Sequence, residues 1–281
     1  GDAAGTSDGQ EIAARAALQA GRLHQRAGRH EEAMAAYENA LAWGREARSS
    51  QGLAAAALAS YRRGTYLHRD DHKAQAMRAY EGAIQLGRAA GTPEGHEAAS
   101  LAALDLALTM EEMGEIDEAR ETYREAVAIG RETGTPRGLE TAARASYDLG
   151  LLHHDEGELD PAARALEAAL RHAREAKTKT AAEVAATVGV VLGYVHLERG
   201  LHEPAASAFR MASRAGREST RPGARTAAAE ALIGLGELLE GTGDPEAARE
   251  AYETAHQIIS SMADPDPNLV ADIQEHLQQA R

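Results

Sequence analysis

The chain has no cysteine in 281 residues. Disulfides, thiolate zinc sites and a cysteine nucleophile are therefore excluded, although this does not fix a compartment. Aromatics are scarce, at 4%, with one Trp and one Phe. Hydrophobic content still reaches 43%, much of it alanine, so packing must rest on close backbone approach rather than on bulky side chains. Lysine occurs only at Lys73, Lys177 and Lys179 and asparagine only at Asn39 and Asn268; the other basic side chains are arginine. With the Ala and Gly load, this composition matches a GC-rich bacterial genome. No run reaches the roughly 18 apolar residues of a membrane-spanning helix, and no charged-then-apolar leader opens the chain. The expected location is the cytoplasm. Gly1 stands where a start methionine would, so neighbouring segments are expected in the native protein. No Gly-rich loop followed by Lys-Ser/Thr occurs, and Gly234-Leu235-Gly236 lacks the strand and third glycine of a dinucleotide fingerprint. Nothing points to an enzyme or a cofactor.

Positive charge is also short. The net charge is −14 and the isoelectric point about 5.3, which disfavours nucleic acid or an anionic membrane as partner, because both need a basic surface. The deficit is uneven. Residues 1–90 carry 12 Lys/Arg and 10 Asp/Glu, and residues 91–281 carry the other 18 and 34.

What the chain does have is a period of 43 residues, run through six times without insertion or deletion. Ala33, Ala76, Ala119, Ala162, Ala205 and Ala248 form one column, and Ala40, Ala83, Ala126, Ala169, Ala212 and Ala255 another. A third reads Tyr37, Tyr80, Tyr123, Leu166, Phe209, Tyr252. Two glycine columns run alongside: Gly21, Gly64, Ala107, Gly150, Gly193, Gly236, and Gly28, Asp71, Gly114, Gly157, Gly200, Gly243. A fixed period of this length means stacked repeats, each burying its neighbour's face.

Each period reads as two helices. Ile12, Ala16, Ala20 and Leu23 share one face of a helix over 11–27, and Ala33, Tyr37, Ala40 and Leu41 share one face of a helix over 30–47. Gly28 ends the first, since glycine tolerates the left-handed cap. Gly91-Thr92-Pro93-Glu94-Gly95 recurs as Gly134-Thr135-Pro136-Arg137-Gly138, where threonine caps the next helix and proline occupies its first turn. Ser50 and Lys179 fill the proline column at two junctions, which marks those starts less clearly. Asp71 in the glycine column predicts a frayed or bent turn in repeat two. The expected organisation is a disordered tail over 1–10, six repeats over 11–262, and a polar capping helix within 263–281.

Gly21, His24, Gly28, Ala33, Tyr37 and Ala40 carry a resemblance to the tetratricopeptide repeat, whose period is 34 residues. The longer form is similar to the repeats of kinesin light chain and of bacterial regulatory proteins with tetratricopeptide sensor arrays. The resemblance covers about 11–262. It departs from the family where the large aromatic expected early in the first helix is small (Ala17, Ser60, Ala103, Ser146, Gly189). The implied fold is all-α, a right-handed α-solenoid of six helix hairpins plus the C-terminal capping helix.

The resemblance also implies that the first helices line a concave peptide-binding groove. Repeats one and two would then present Arg15, Arg22 and Arg26, followed by Tyr61, Arg62 and Arg69. Repeat three would present Leu101, Leu104, Asp105, Leu108 and Glu112. Repeat four would present Arg144, Tyr147, Asp148, Leu151 and Asp155, and repeats five and six Tyr194, Glu198 and Glu237. An apolar floor with a charged rim suits a peptide. The expected partner is a protein or peptide segment with its acidic end at repeats one and two and a basic, apolar part at repeats three to six. Against this stands a plainer assignment, in which several of these apolar residues pack adjacent first helices and the charges are solvated.

His24, His153 and His196 share a column and are expected to pack between helices. His68 and His72 flank Asp70 and Asp71, and His153-His154-Asp155 is compact, so either could hold Zn²⁺, but no metal site is assigned. Three functions fit the repeat: a non-enzymatic adaptor or scaffold, an oligopeptide-responsive sensor for a separate effector, and a self-assembly module.

Overall fold

In the computed structural model, which describes residues 6–279, each 43-residue period folds into one helical hairpin. The first helices are α1 (Ser7–Arg26), α3 (Ser50–Arg69), α5 (Pro93–Glu112), α7 (Pro136–Asp155), α9 (Lys179–Glu198) and α11 (Pro222–Gly241). The second helices are α2 (His30–Ala47), α4 (Lys73–Ala90), α6 (Ile116–Glu132), α8 (Leu159–Ala176), α10 (His202–Arg217) and α12 (Pro245–Ser260), and α13 (Pro267–Gln279) follows. The fold is an all-α solenoid, with no strand among the described residues. Residues 1–145 and 146–281 form two compact units, the division falling within α7.

Helix starts are set by a Thr/Ser column one residue before the prolines. Thr6, Ser49, Thr92 and Thr178 each accept a hydrogen bond from the backbone N–H three residues on, and Thr135 does so from Gly138 at 3.1 Å. The starts at Ser50 and Lys179 are thus as firmly capped as the proline-marked ones. The cap at Thr6 also corrects the expected tail: Ser7–Gln10 are the first turn of α1, and the rest of that segment, 1–5, lies outside the described residues.

All six hairpins turn alike. The second residue past each cap donates its N–H five residues back, from Arg29 to His24, His72 to Leu67, Glu115 to Met110, Glu158 to His153, Leu201 to His196 and Asp244 to Leu239. This bond needs a left-handed residue between helices. Asp71 takes φ 60°, against 70° at Gly28 and 80° at Gly114. The repeat-two turn is therefore neither frayed nor bent. The ladder around Asp71 imposes the conformation, at the steric cost of a side chain there.

The core follows from the columns. Both alanine columns are fully buried, and so are Tyr37, Tyr123, Leu166, Phe209 and Tyr252. The large side chain packs directly on the glycine of its own first helix: a Cβ on Gly236 would stand 2.6 Å from Tyr252 Cζ, and one on Gly150 2.8 Å from Leu166 Cγ. Glycine is thus the complement of the large residue sixteen positions on. The packing brings out a third small-residue column, Gly44, Gly87, Gly130, Ala173 and Gly216. It faces the start of the next first helix, so close that a Cβ on Gly130 would lie 2.6 Å from the Gly138 carbonyl oxygen.

Within unit two, α9 corrects the sequence reading. It is long and apolar enough, by length and composition alone, to cross a membrane, but half of its apolar window is buried inside the structure. Val188, Leu192 and Val195 pack with Leu166 and Leu170 of α8 and Ala208 of α10. Interspersed glycine and threonine hide the apolar run from inspection. At the far end, Ile273 of α13 is buried against the α11–α12 cluster.

Candidate functional site

The partner-facing residues expected from the sequence separate into two groups, because first helices stacked side by side close over whatever points at the neighbour. One column, Leu18, Tyr61, Leu104, Val190 and Ile233, is buried, with Leu104 1% exposed, while Tyr147 at the same register is half-buried. These side chains form seams between first helices. Leu104 is core, which corrects its assignment as groove floor, and Tyr61 is buried to 9% exposure. Leu101, Leu108 and Leu151 are partly exposed, and Tyr194 is 37% exposed. They are the apolar surface that remains.

Unit one offers arginine. Arg15 and Arg22 line a recess of about 400 Å³ between α1 and α3, floored by Leu18, Ala54, Ala55 and Leu58. Arg26 and Arg69 are exposed, Arg62 is half-buried, and the Arg69 guanidinium lies 4.7 Å over the Tyr66 ring. The acidic residues of repeat three are answered from within the fold. Burial pushes the Asp105 carboxyl above its ordinary value, while the Tyr61 hydroxyl hydrogen-bonds to it and Arg144, His68 and Arg62 pull the other way. Burial likewise pushes the Tyr61 phenol up, helped by the Asp105 charge. Glu112 lies 2.9 Å from Lys73 Nζ and 3.5 Å from His68 Nε2. Repeat three therefore does not present the unmet negative charge expected of it.

Unit two does. Tyr147, Asp148 and Leu151 of α7 are half-buried, and Asp155 is exposed. On α9, Tyr194 stacks edge-on against Phe209 at 5.1 Å. Burial pushes its phenol up to about 12, with Glu237, Glu230 and Asp272 adding to the rise. Burial also raises the Glu230 carboxyl, with Asp266 beside it. Glu237 is raised by burial and by Asp272 and Glu240, against His276. The His276 ring stacks on Tyr252 at 4.7 Å and reaches Glu237 at 3.7 Å and Asp272 at 3.6 Å. Glu198 accepts from His154 at 2.8 Å. The contribution of α13 was missed. His276 falls in the column of Tyr61, Tyr147 and Ile233, so running the period one step further finds it.

The histidine clusters resolve into pairs. His153 meets Glu158 at 2.5 Å and His68 meets Thr109 at 3.0 Å. Burial and neighbouring Arg199 lower the His196 imidazole. Among the described residues, no three His, Asp or Glu side chains are grouped to hold a metal.

Comparison with known proteins agrees with this architecture. Two tetratricopeptide-repeat family models match residues 94–175 and 229–259, and the model for anaphase-promoting complex subunit 5 matches residues 2–63. No curated protein matches the sequence. Among solved structures, BtubC (BKLC) from P. vanneervenii is 17% identical, with 92% of this chain and 94% of that one covered and a TM-score of 0.58. PilF of Pseudomonas aeruginosa is 16% identical over 96% and 99%, with a TM-score of 0.55. The apo form of RapI is 13% identical over 98% and 73%, with a TM-score of 0.63. At such identities these likenesses speak to the fold alone. The matched repeat models, with the helical hairpins they fall on, support a tetratricopeptide-repeat protein.

Proposed function

We propose that the chain is a non-catalytic, protein-binding adaptor that takes partner segments on the exposed faces of its first helices. The carrying observation is the site on unit two. Glu230 and Glu237 are desolvated beside like charges, which raises both carboxyls, and the exposed edge of Tyr194 lies next to them. Carboxylates short of counter-charge next to an aromatic surface favour Lys or Arg flanked by apolar residues. Unit one complements this, with Arg15, Arg22, Arg26, Arg62 and Arg69 suited to an acidic segment. That two of the three matching family models describe a repeat and the third a subunit of a multiprotein complex supports the adaptor role.

The test is fluorescence anisotropy with two peptides of equal length, one alternating Arg and Leu and one alternating Glu and Leu. The Arg peptide should bind, weaken with salt, and lose about tenfold or more in affinity with Glu230→Gln/Glu237→Gln. The Glu peptide should respond instead to Arg15→Gln/Arg22→Gln. Binding of both peptides that ignores salt and all four substitutions would sink the proposal.

A further inference from the structure

We propose that repeats four and five hold a second site, a pocket for a small amphipathic carboxylate on the side of α9 turned away from the partner-binding face. Ala185 lines it, nine residues, or two and a half turns, before Tyr194. The two sites therefore lie on opposite sides of one helix. The cavity has a volume of about 500 Å³, within the range of small-molecule pockets.

Its origin is a change in the seam between repeats. At the first three junctions glycine meets glycine: Gly44 with Gly52, Gly87 with Gly95, and Gly130 with Gly138. At the fourth, the same columns hold Ala173 and Ala181. Two methyl groups do not fit the glycine spacing, where a Cβ on Gly95 would stand 2.7 Å from the Gly87 carbonyl oxygen. So α8 and the start of α9 stand further apart here, and the gap opens between the ends of α8 and α10. Ala173, Ala182, Ala185 and Met211 make its wall apolar.

The rim is basic in an acidic stretch of chain. Lys177 and Lys179 are two of only three lysines, in a segment where acidic residues outnumber basic ones 34 to 18. No ion pair among the described residues engages either lysine, and both are exposed. The lining carboxylate, Glu218, is held by Arg214 at 3.0 Å, and the Arg174 guanidinium rests on the Met211 sulphur. Thr178, which caps the Ala181 N–H, also lines the cavity. An apolar wall with two unengaged ammonium groups at its edge fits one ligand chemistry: an alkyl or aryl body ending in a carboxylate.

Octanoate is the probe, titrated into the full chain below its micelle-forming concentration by calorimetry, with the Met211 methyl resonance reporting the site. One molecule should bind, shift Met211, and weaken as salt is raised. Octanamide should bind several-fold less tightly. Lys177→Gly/Lys179→Gln should weaken octanoate about tenfold. That variant is safe for folding, because Lys177 holds φ 53° where Gly91 and Gly134 stand in other repeats. Ala185→Leu should fill the cavity and abolish the Met211 shift. Glu230→Gln/Glu237→Gln should leave octanoate binding unchanged, so failure here and failure of the adaptor reading are separable. No Met211 shift, or equal affinities for octanoate and octanamide, or no effect of removing the lysines, would each overturn the proposal.

Discussion

Replacing Gly87 by alanine sets two effects against each other. Helix propensity alone favours alanine over glycine by up to about 0.8–1.0 kcal/mol at Gly87, in the last turn of α4. The seam opposes it. A Cβ at Gly87 would overlap the Gly95 carbonyl oxygen and stand 2.9 Å from Ala99 Cβ. The overlap is with backbone, which has no flexible end to give way, so α4 and α5 must separate. Forcing an extra methyl into a packed interface costs typically 1–3 kcal/mol. The net expectation is a loss of about 1 kcal/mol, from the difference of the two terms. Gly130→Ala should lose less, because its Cβ would stand 2.6 Å from the Gly138 carbonyl and 3.1 Å from Ala142 Cβ. Urea unfolding followed by circular dichroism gives the midpoints. Amide exchange should show the loss concentrated in α4 and α5, since repeats couple to their neighbours. A Gly87→Ala chain more stable than wild type by the full propensity term would refute the close-seam argument, and with it the account of why the fourth junction stands open.

Three further outcomes are expected. Asp71→Gly should raise the urea midpoint, by up to about 1 kcal/mol in stability, because the turn already holds φ 60° there and glycine adopts it without steric cost; Gly114→Asp should do the reverse. Tyr61→Phe should destabilise unit one by about 1–3 kcal/mol, as seen in thermal unfolding, by taking a hydrogen-bond donor from the buried Asp105 carboxyl. The raised Glu230 and Glu237 carboxyls hold their protons more tightly folded than unfolded. Their ionisation therefore costs stability above the folded pKa, and that cost disappears as pH falls through the folded and then the unfolded value. Glu230→Gln/Glu237→Gln should accordingly be more stable than wild type at neutral pH, with the gap closing on acidification in parallel denaturation series, while Arg-peptide binding to wild type weakens over the same window.

The sequence by itself determined the architecture. A period kept through six repeats places Tyr37, Ala33, Ala40 and Gly21 in one register. The ring of Tyr37 needs the bare backbone of Gly21 beneath it, so the local pattern and the packing are one constraint written twice. The hairpin turns were legible for the same reason, except at Asp71, where the hydrogen-bond ladder imposes on aspartate what glycine adopts freely. The surface was less legible. Leu104 and Leu151 look alike in a helical pattern, yet one is sealed in a seam and the other is partly exposed, because burial depends on the separation of two helices rather than on residue type. Asp105 and Glu112 looked like rim charges until Tyr61, Arg144 and Lys73 were placed beside them. Only tertiary structure decided that His276 and Asp272 join Glu237, and that Gly44, Gly87 and Gly130 meet Gly52, Gly95 and Gly138. Side-chain proximity across repeats is set by how far apart backbones stand, and that distance is a sum over contacts that no single period contains.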